Sequence, residues 1–200
     1  MVAGSKRRRV EEAEPITYQN LSLTCEKIEH PRDSCLIALL YLSARRISEI
    51  LHLQKKDFKV EDNRISFETF NEKVYRKKPM GNYRIYRNNW YYEVIRPHWR
   101  TDTLSGKSLS KYVLQRLGSV AEKNYVFKSI RGEGYIGRSM AYKIVKYYLP
   151  NAWPHLLRHY RITEIVNAYK DDPVATHLHT FHKRFESTLQ YYQGLEEERI

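Results

Sequence analysis

Pro154-His155-Leu156-Leu157-Arg158-His159 is the stretch on which the reading of this chain turns. Proline is at home in the first turn of a helix, so Pro154 opens one. The helix continues through Ile162, Ile165, Val166 and Ala168. His155 and Arg158 stand three residues apart, which puts them on one face. A guanidinium grips a phosphate through two parallel hydrogen bonds, and an imidazole beside it can donate a hydrogen bond or move a proton. Further on come His182 and the pair Tyr191-Tyr192. A phenol near such a face has the makings of a covalent nucleophile. Residues 154–192 therefore carry the groups that phosphodiester exchange needs.

The composition agrees. The 200 residues carry a formal net charge of +12, and the sequence pI is about 9.6. Such an excess predicts a polyanionic partner, with nucleic acid first. An anionic membrane competes for that role, but no apolar run reaches the ~18 residues a span requires, and no secretory segment is present. Two cysteines, Cys25 and Cys35, are too few for a disulfide framework or a zinc site. They read as reduced thiols of an intracellular, cytoplasmic protein. The histidines at 177, 179 and 182 fit no common metal spacing, so no metal and no cofactor is expected. Most of the 17 tyrosines must serve packing or face a partner.

Working outward, residues 1–15 combine Lys6-Arg7-Arg8-Arg9 with Glu11, Glu12 and Glu14 and read as a disordered tail. Asp33 or Ser34 can cap a helix through Cys35-Leu36-Ile37-Ala38-Leu39-Leu40-Tyr41-Leu42. That segment is apolar all round and predicts a buried central helix. Ser43-Ala44-Arg45-Arg46 follow, then a short helix over 47–53. Buried cations are costly unless paired. Glu49, three residues after Arg46, can hold it by a salt bridge; alternatively both arginines simply solvate the joint.

From residue 57 the period changes. Phe58 and Val60, then Ile65, Phe67 and Thr69, alternate as strands do. A turn at Pro79-Met80-Gly81-Asn82 leads to a third strand at Tyr83-Arg84-Ile85-Tyr86. Lys73, Arg76, Lys77, Lys78, Arg84 and Arg87 are interleaved here with Tyr75, Tyr83, Tyr86 and Trp90. Cations mixed with aromatics suit a surface that follows a phosphate backbone.

Helix returns over 108–117, closed by Gly118, and over 139–149, ended by Pro150. Between them lie a short extended piece at 124–127 and a flexible loop at 131–137. The glycines of that loop lack the spacing of a nucleotide-binding turn. Asp171-Asp172-Pro173 starts a helix over 174–182, and 186–192 forms the last ordered segment. The fold class is α+β, mainly helical, with a small three-stranded antiparallel sheet.

The order of these elements resembles the catalytic domain of tyrosine recombinases, the phage-integrase family. Leu42-Ser43-Ala44-Arg45-Arg46-Ile47-Ser48-Glu49-Ile50 is similar to the family's first box, with Ala44 in place of its usual Gly. Pro154 to His159 is similar to the second box. Thr180-Phe181-His182 stands where the family has Leu-Gly-His, and Ser187-Thr188-Leu189-Gln190-Tyr191 resembles its Thr-Thr-x-x-Tyr. Tyr160-Arg161 depart from the family's small residues, which marks a divergent member of archaeal or viral type. The resemblance runs from about Leu21 to Tyr192 and implies a catalytic domain over 16–200 without the family's N-terminal core-binding domain.

The resemblance implies a site-specific recombinase that works through a 3′-phosphotyrosyl intermediate. It makes Arg46, Lys73, His155, Arg158, His182 and Tyr191 the catalytic set. Lys77 and Lys78 are alternatives to Lys73 as general acid, and Tyr192 to Tyr191 as nucleophile. Arg45, Arg76, Lys77, Lys78, Arg84 and Arg87 are expected to contact double-stranded DNA. A homotetramer on DNA, with a monomer in isolation, is the implied assembly. A type IB topoisomerase and a non-catalytic DNA-binding module of the same fold are the competing readings.

Overall fold

The computed structural model describes residues 16–61, 64–67, 92–93, 109–168, 172–174 and 185–197. Helix α1 (Tyr18–Glu26) starts at Thr17, whose hydroxyl accepts from the Asn20 amide at 3.2 Å. Helix α2 (Pro31–Ser43) is the hub. Every residue from Arg32 to Leu42 is buried, and α2 packs against α1, α4 (Ser110–Gly118), α5 (Arg138–Tyr148) and α6 (Pro154–Ala168). An all-round apolar helix has no solvent face, so it must be enclosed by others. Its cap is His30 rather than Asp33 or Ser34. The His30 ring nitrogen accepts from the Arg32 amide at 3.3 Å, and Pro31 takes the first helical position, where no amide is needed.

Ala44 ends α2 in the left-handed region, at φ 50° and ψ 28°. Glycine is the usual residue for this conformation because it has no Cβ to clash. An L-residue pays about 1–2 kcal/mol here. Ala44 is only 1% exposed, and its methyl packs with Ile162, Ile165 and Val166 of α6. That burial returns about 0.8 kcal/mol. The two terms nearly cancel, so Ala44→Gly is expected to move stability by less than about 1 kcal/mol. Ala44→Val adds a β-branch to a left-handed residue and overfills the contact, at a cost of at least ~2 kcal/mol. Urea unfolding midpoints of the two variants check this.

After the left-handed turn the chain enters α3 (Ile47–Leu51) and the strands β1 (Phe58–Glu61), β2 (Arg64–Phe67) and β3 (Tyr92–Glu93). The sheet order is β1-β2-β3, antiparallel throughout, with Phe58 opposite Phe67 and Phe67 opposite Tyr92. Ile65 and Phe67, two apart, point into the core. The strand expected at Tyr83–Tyr86 lies outside the described residues, as do residues 1–15. Of the helix expected over 174–182, only Val174 is among the described residues.

The stretch 131–137, expected to be a flexible loop, is tied at both ends. Ile136 is buried and donates to the Phe127 carbonyl at 2.8 Å, and Ser129 donates to the Gly134 carbonyl at 2.9 Å. Tyr135 bonds to the His52 ring at 2.5 Å, joining this turn to the end of α3. A second link joins α2 to α6. The buried Tyr41 hydroxyl donates to Glu164, which also pairs with Arg161 at 3.0 Å. Both thiols are buried and free, and burial pushes Cys25 up to about 12, so they are inert packing groups. No helix among the described residues is long and apolar enough to cross a membrane.

Candidate active site

The site is assembled where the α2–α3 joint meets α6. The left-handed turn at Ala44 aims its carbonyl at α6, and Arg158 donates to that oxygen from Nη1 across 114 residues of sequence. Glu49, fully buried, sits in the first turn of α3. One of its oxygens accepts from the Arg46 amide at 3.1 Å and so caps the helix. The other takes the Arg46 guanidinium at 2.9 Å. Arg45 stands 3.6 Å from the same carboxylate. Among the described residues, Glu49 is the carboxylate that faces Arg45, Arg46 and Arg158, so cations outnumber it here.

That excess is visible on Arg158, which is 3% exposed. Burial and then Arg46 push its pKa down to about 10, with Glu49 opposing. It stays charged at neutral pH. A charge held this far from water at this cost is a ready anion site. Beside it opens a cavity of about 280 Å³ lined by Arg45, Arg46, His155 and Arg158, with Arg138, Tyr142 and Trp153 completing the wall. The volume lies near the lower limit for ligand sites, a size for a phosphate group and its neighbours. Arg138 and His155 belong to the first turns of α5 and α6, whose amino ends add partial positive charge.

Tyr191 arrives on α7 (Glu186–Glu197), which packs on α6. Its ring lies against Ala44, Ile162, Ile165 and Val166. Its hydroxyl is 3.1 Å from Nδ1 of His159, with ring centroids 5.2 Å apart. Burial raises the phenol above its ordinary pKa, while Arg158 pulls it back. Burial lowers the pKa of His159. Thr188, one turn before Tyr191, is fully buried and anchors α7.

Of the expected set, Arg46, His155 and Arg158 line one cavity, and Tyr191 lies close enough for Arg158 to act on its phenol. Arg45, expected among the DNA-contacting cations, is 2% exposed, stands 3.6 Å from Glu49 and lines the cavity. Lys73, Arg76, Lys77, Lys78, Arg84, Arg87 and His182 lie outside the described residues, as does the Tyr192 side chain. Arg138 and Tyr142 were missed. They occupy the polar side of an amphipathic helix, which without tertiary contacts reads as a solvated face. His159 closes the motif, and the sequence reading assigns it no role of its own. Its spacing of four from His155 was the available signal for a shared face.

Against known proteins, the phage integrase family profile matches residues 14–199. No curated protein matches the chain. Among solved structures, the XerH site-specific recombinase in its post-cleavage complex with palindromic difH substrate is similar at TM-score 0.62 and 16% identity. The match covers 94% of this chain and 51% of that one. The Tn1549 transposon integrase with circular intermediate DNA is similar at TM-score 0.55 and 19% identity, over 90% of this chain and 60% of that one. The XerA recombinase follows at TM-score 0.56 and 15% identity, over 94% and 63%. The chain thus spans about half the length of the XerH protein. At these identities the likeness is one of fold.

Proposed function

The chain belongs to the phage integrase family and has the tyrosine-recombinase catalytic-domain fold, and on that premise we propose that it is a site-specific DNA recombinase. Its substrate is double-stranded DNA, and its intermediate is a 3′-phosphotyrosyl link. The meeting of Arg46, His155 and Arg158 at one cationic cavity supports this reading most strongly.

In the proposed reaction Arg46 and Arg158 hold the two non-bridging oxygens of the scissile phosphate and stabilise the charge that develops there. His155 assists proton transfer, and His182 hydrogen-bonds the same phosphate. Tyr191 attacks phosphorus, the bond to the 5′-oxygen breaks, and that oxygen leaves as a hydroxyl. Lys73 of the hairpin, or Lys77 or Lys78, supplies its proton. A 5′-hydroxyl of the partner strand reverses the step, so bond energy is conserved. Strand exchange between two duplexes calls for four protomers on DNA, each in isolation a monomer, acting in the cytoplasm where the DNA lies.

The test is covalent capture on duplexes nicked within a randomised site, so that the leaving strand diffuses away and the adduct accumulates. Capture followed by exchange between two selected sites is the expected result. Capture with relaxation of a supercoiled plasmid but no exchange points to topoisomerase chemistry. No capture at any sequence leaves a DNA-binding module and sinks the enzyme reading. Arg158→Ala should slow capture by about 10³-fold, the scale on which charge-stabilising groups act in phosphoryl transfer. Single-turnover rates with saturating protein measure it.

A further inference from the structure

We infer that Arg45 is a third guanidinium of the phosphate site, adding its charge to those of Arg46 and Arg158 as negative charge builds on the phosphate oxygens; the inference rests on the phosphoryl transfer proposed above.

The Arg45 side chain is 2% exposed. An apolar residue of similar volume would fill the same space without the cost of taking a charge out of water. Glu49 offsets only part of that cost. One of its oxygens takes the Arg46 guanidinium at 2.9 Å, and the other accepts from the Arg46 amide at 3.1 Å. Nη1 of Arg45 stands 3.6 Å from that second oxygen, beyond hydrogen-bond distance. Arg45 therefore shares a carboxylate that already serves Arg46 twice. The left-handed turn at Ala44 sends Arg45 inward, while Arg46 keeps 17% of its side chain exposed. Both line the cavity with His155 and Arg158. Burial first, then Arg46 and then Arg45 lower the Arg158 pKa, against the pull of Glu49. The field of Arg45 thus reaches the guanidinium that holds the phosphate in the proposed reaction.

A phosphodiester carries one negative charge before attack. As Tyr191 loses its phenolic proton, with His155 assisting, its oxygen brings a second charge to phosphorus. That charge passes to the 5′-oxygen, which the hairpin cation protonates as it leaves. A cation fixed in a site closed to water acts most strongly when the second charge arrives. Arg45 therefore favours the transition state over the bound ground state, and its loss belongs in the rate rather than in DNA affinity. Enclosed as it is, it adds little to the attraction that surface cations exert on a duplex.

The probe is a nicked duplex selected by wild-type capture from the randomised pool, made with either a phosphate or a methylphosphonate at the cut. The methyl group removes one negative charge from the reacting centre throughout the step. In single turnovers on phosphate, Arg45→Met should be about 10²-fold slower than wild type, with duplex affinity within about threefold. On the methylphosphonate the gap should shrink to less than about tenfold. Arg45→Lys keeps a charge and should recover most of the rate on phosphate. Arg45→Met should unfold no earlier than wild type, since an apolar residue in place of a buried ion is often neutral or stabilising. A defect of equal size on both substrates would make Arg45 a packing residue and overturn the inference. Guanidinium ¹⁵N spectra of the wild type, assigned through the backbone and titrated with sulfate, require no variant to fold. The Arg45 signal should move together with those of Arg46 and Arg158. An Arg45 signal that stays in place while the other two move would equally overturn the inference. Absence of wild-type capture instead removes the recombinase reading, and the sulfate spectra still decide whether Arg45 faces a bound anion.

Discussion

Tyr191→Phe is expected to form no covalent adduct with nicked duplexes, while Tyr192→Phe continues to form it. The loss should be on the order of 10⁴-fold or more, because removing a nucleophile abolishes the step rather than weakening it. The variant should remain folded. Its ring keeps the contacts with Ala44, Ile162, Ile165 and Val166. Only the bond to His159 is lost, worth about 0.5–1.5 kcal/mol net. DNA affinity should change little, since the change leaves every cation in place. Mass spectrometry of the trapped wild-type peptide identifies the linked residue. An adduct that survives Tyr191→Phe and disappears in Tyr192→Phe would move the nucleophile by one position. The contact to His159 argues against that shift.

The helices α2 and α6 were legible because local signals agree with the fold. An unbroken apolar run has to be enclosed, and Pro154 followed by a 3.6-residue period marks a helix from its first turn. The pairing of Arg46 with Glu49 was legible too, as a spacing of three on a helix. The His30 cap was not, because Ser and Asp are the favoured caps and both stand nearby in Ser34 and Asp33. The burial of Arg45 has no local signature. It follows from the left-handed residue at Ala44, which turns the chain inward, and from a carboxylate that serves two arginines at once. The glycines of residues 131–137 suggested freedom, but Ile136 and Tyr135 tether that turn through contacts made by distant residues. The proximity of Arg46 to Arg158 was carried by the order of the motifs. No periodicity connects positions more than a hundred residues apart, and only α2, packed on α6, brings them together.

Glu49→Gln should produce the largest loss of stability of any single isosteric change at the site. The substitution keeps the volume, and an amide oxygen can still accept from the Arg46 amide, so the helix cap survives in part. What disappears is the negative charge that, among the described residues, faces Arg45, Arg46 and Arg158. Two of those guanidiniums are 2% and 3% exposed, so solvent screens them little. Removing one partner from a buried ion pair costs about 3–5 kcal/mol, against about 1 kcal/mol for a lost cap. Charge therefore decides the outcome. A domain stable by roughly 5–15 kcal/mol would remain folded but much closer to its threshold. Without Glu49, the repulsion that lowers the Arg158 pKa would act unopposed and lower it further. Sulfate should then stabilise the variant more than the wild type. An anion in the cavity replaces the missing charge, and binding to the folded state alone adds about 2.7 kcal/mol at a hundredfold excess over Kd. Thermal unfolding at low salt, with and without sulfate, measures both effects. Equal stability of the two proteins at low salt would show that the carboxylate does not compensate these arginines. A loss that sulfate reverses would mean that Glu49 holds the arginines in place until a phosphate arrives to share their charge.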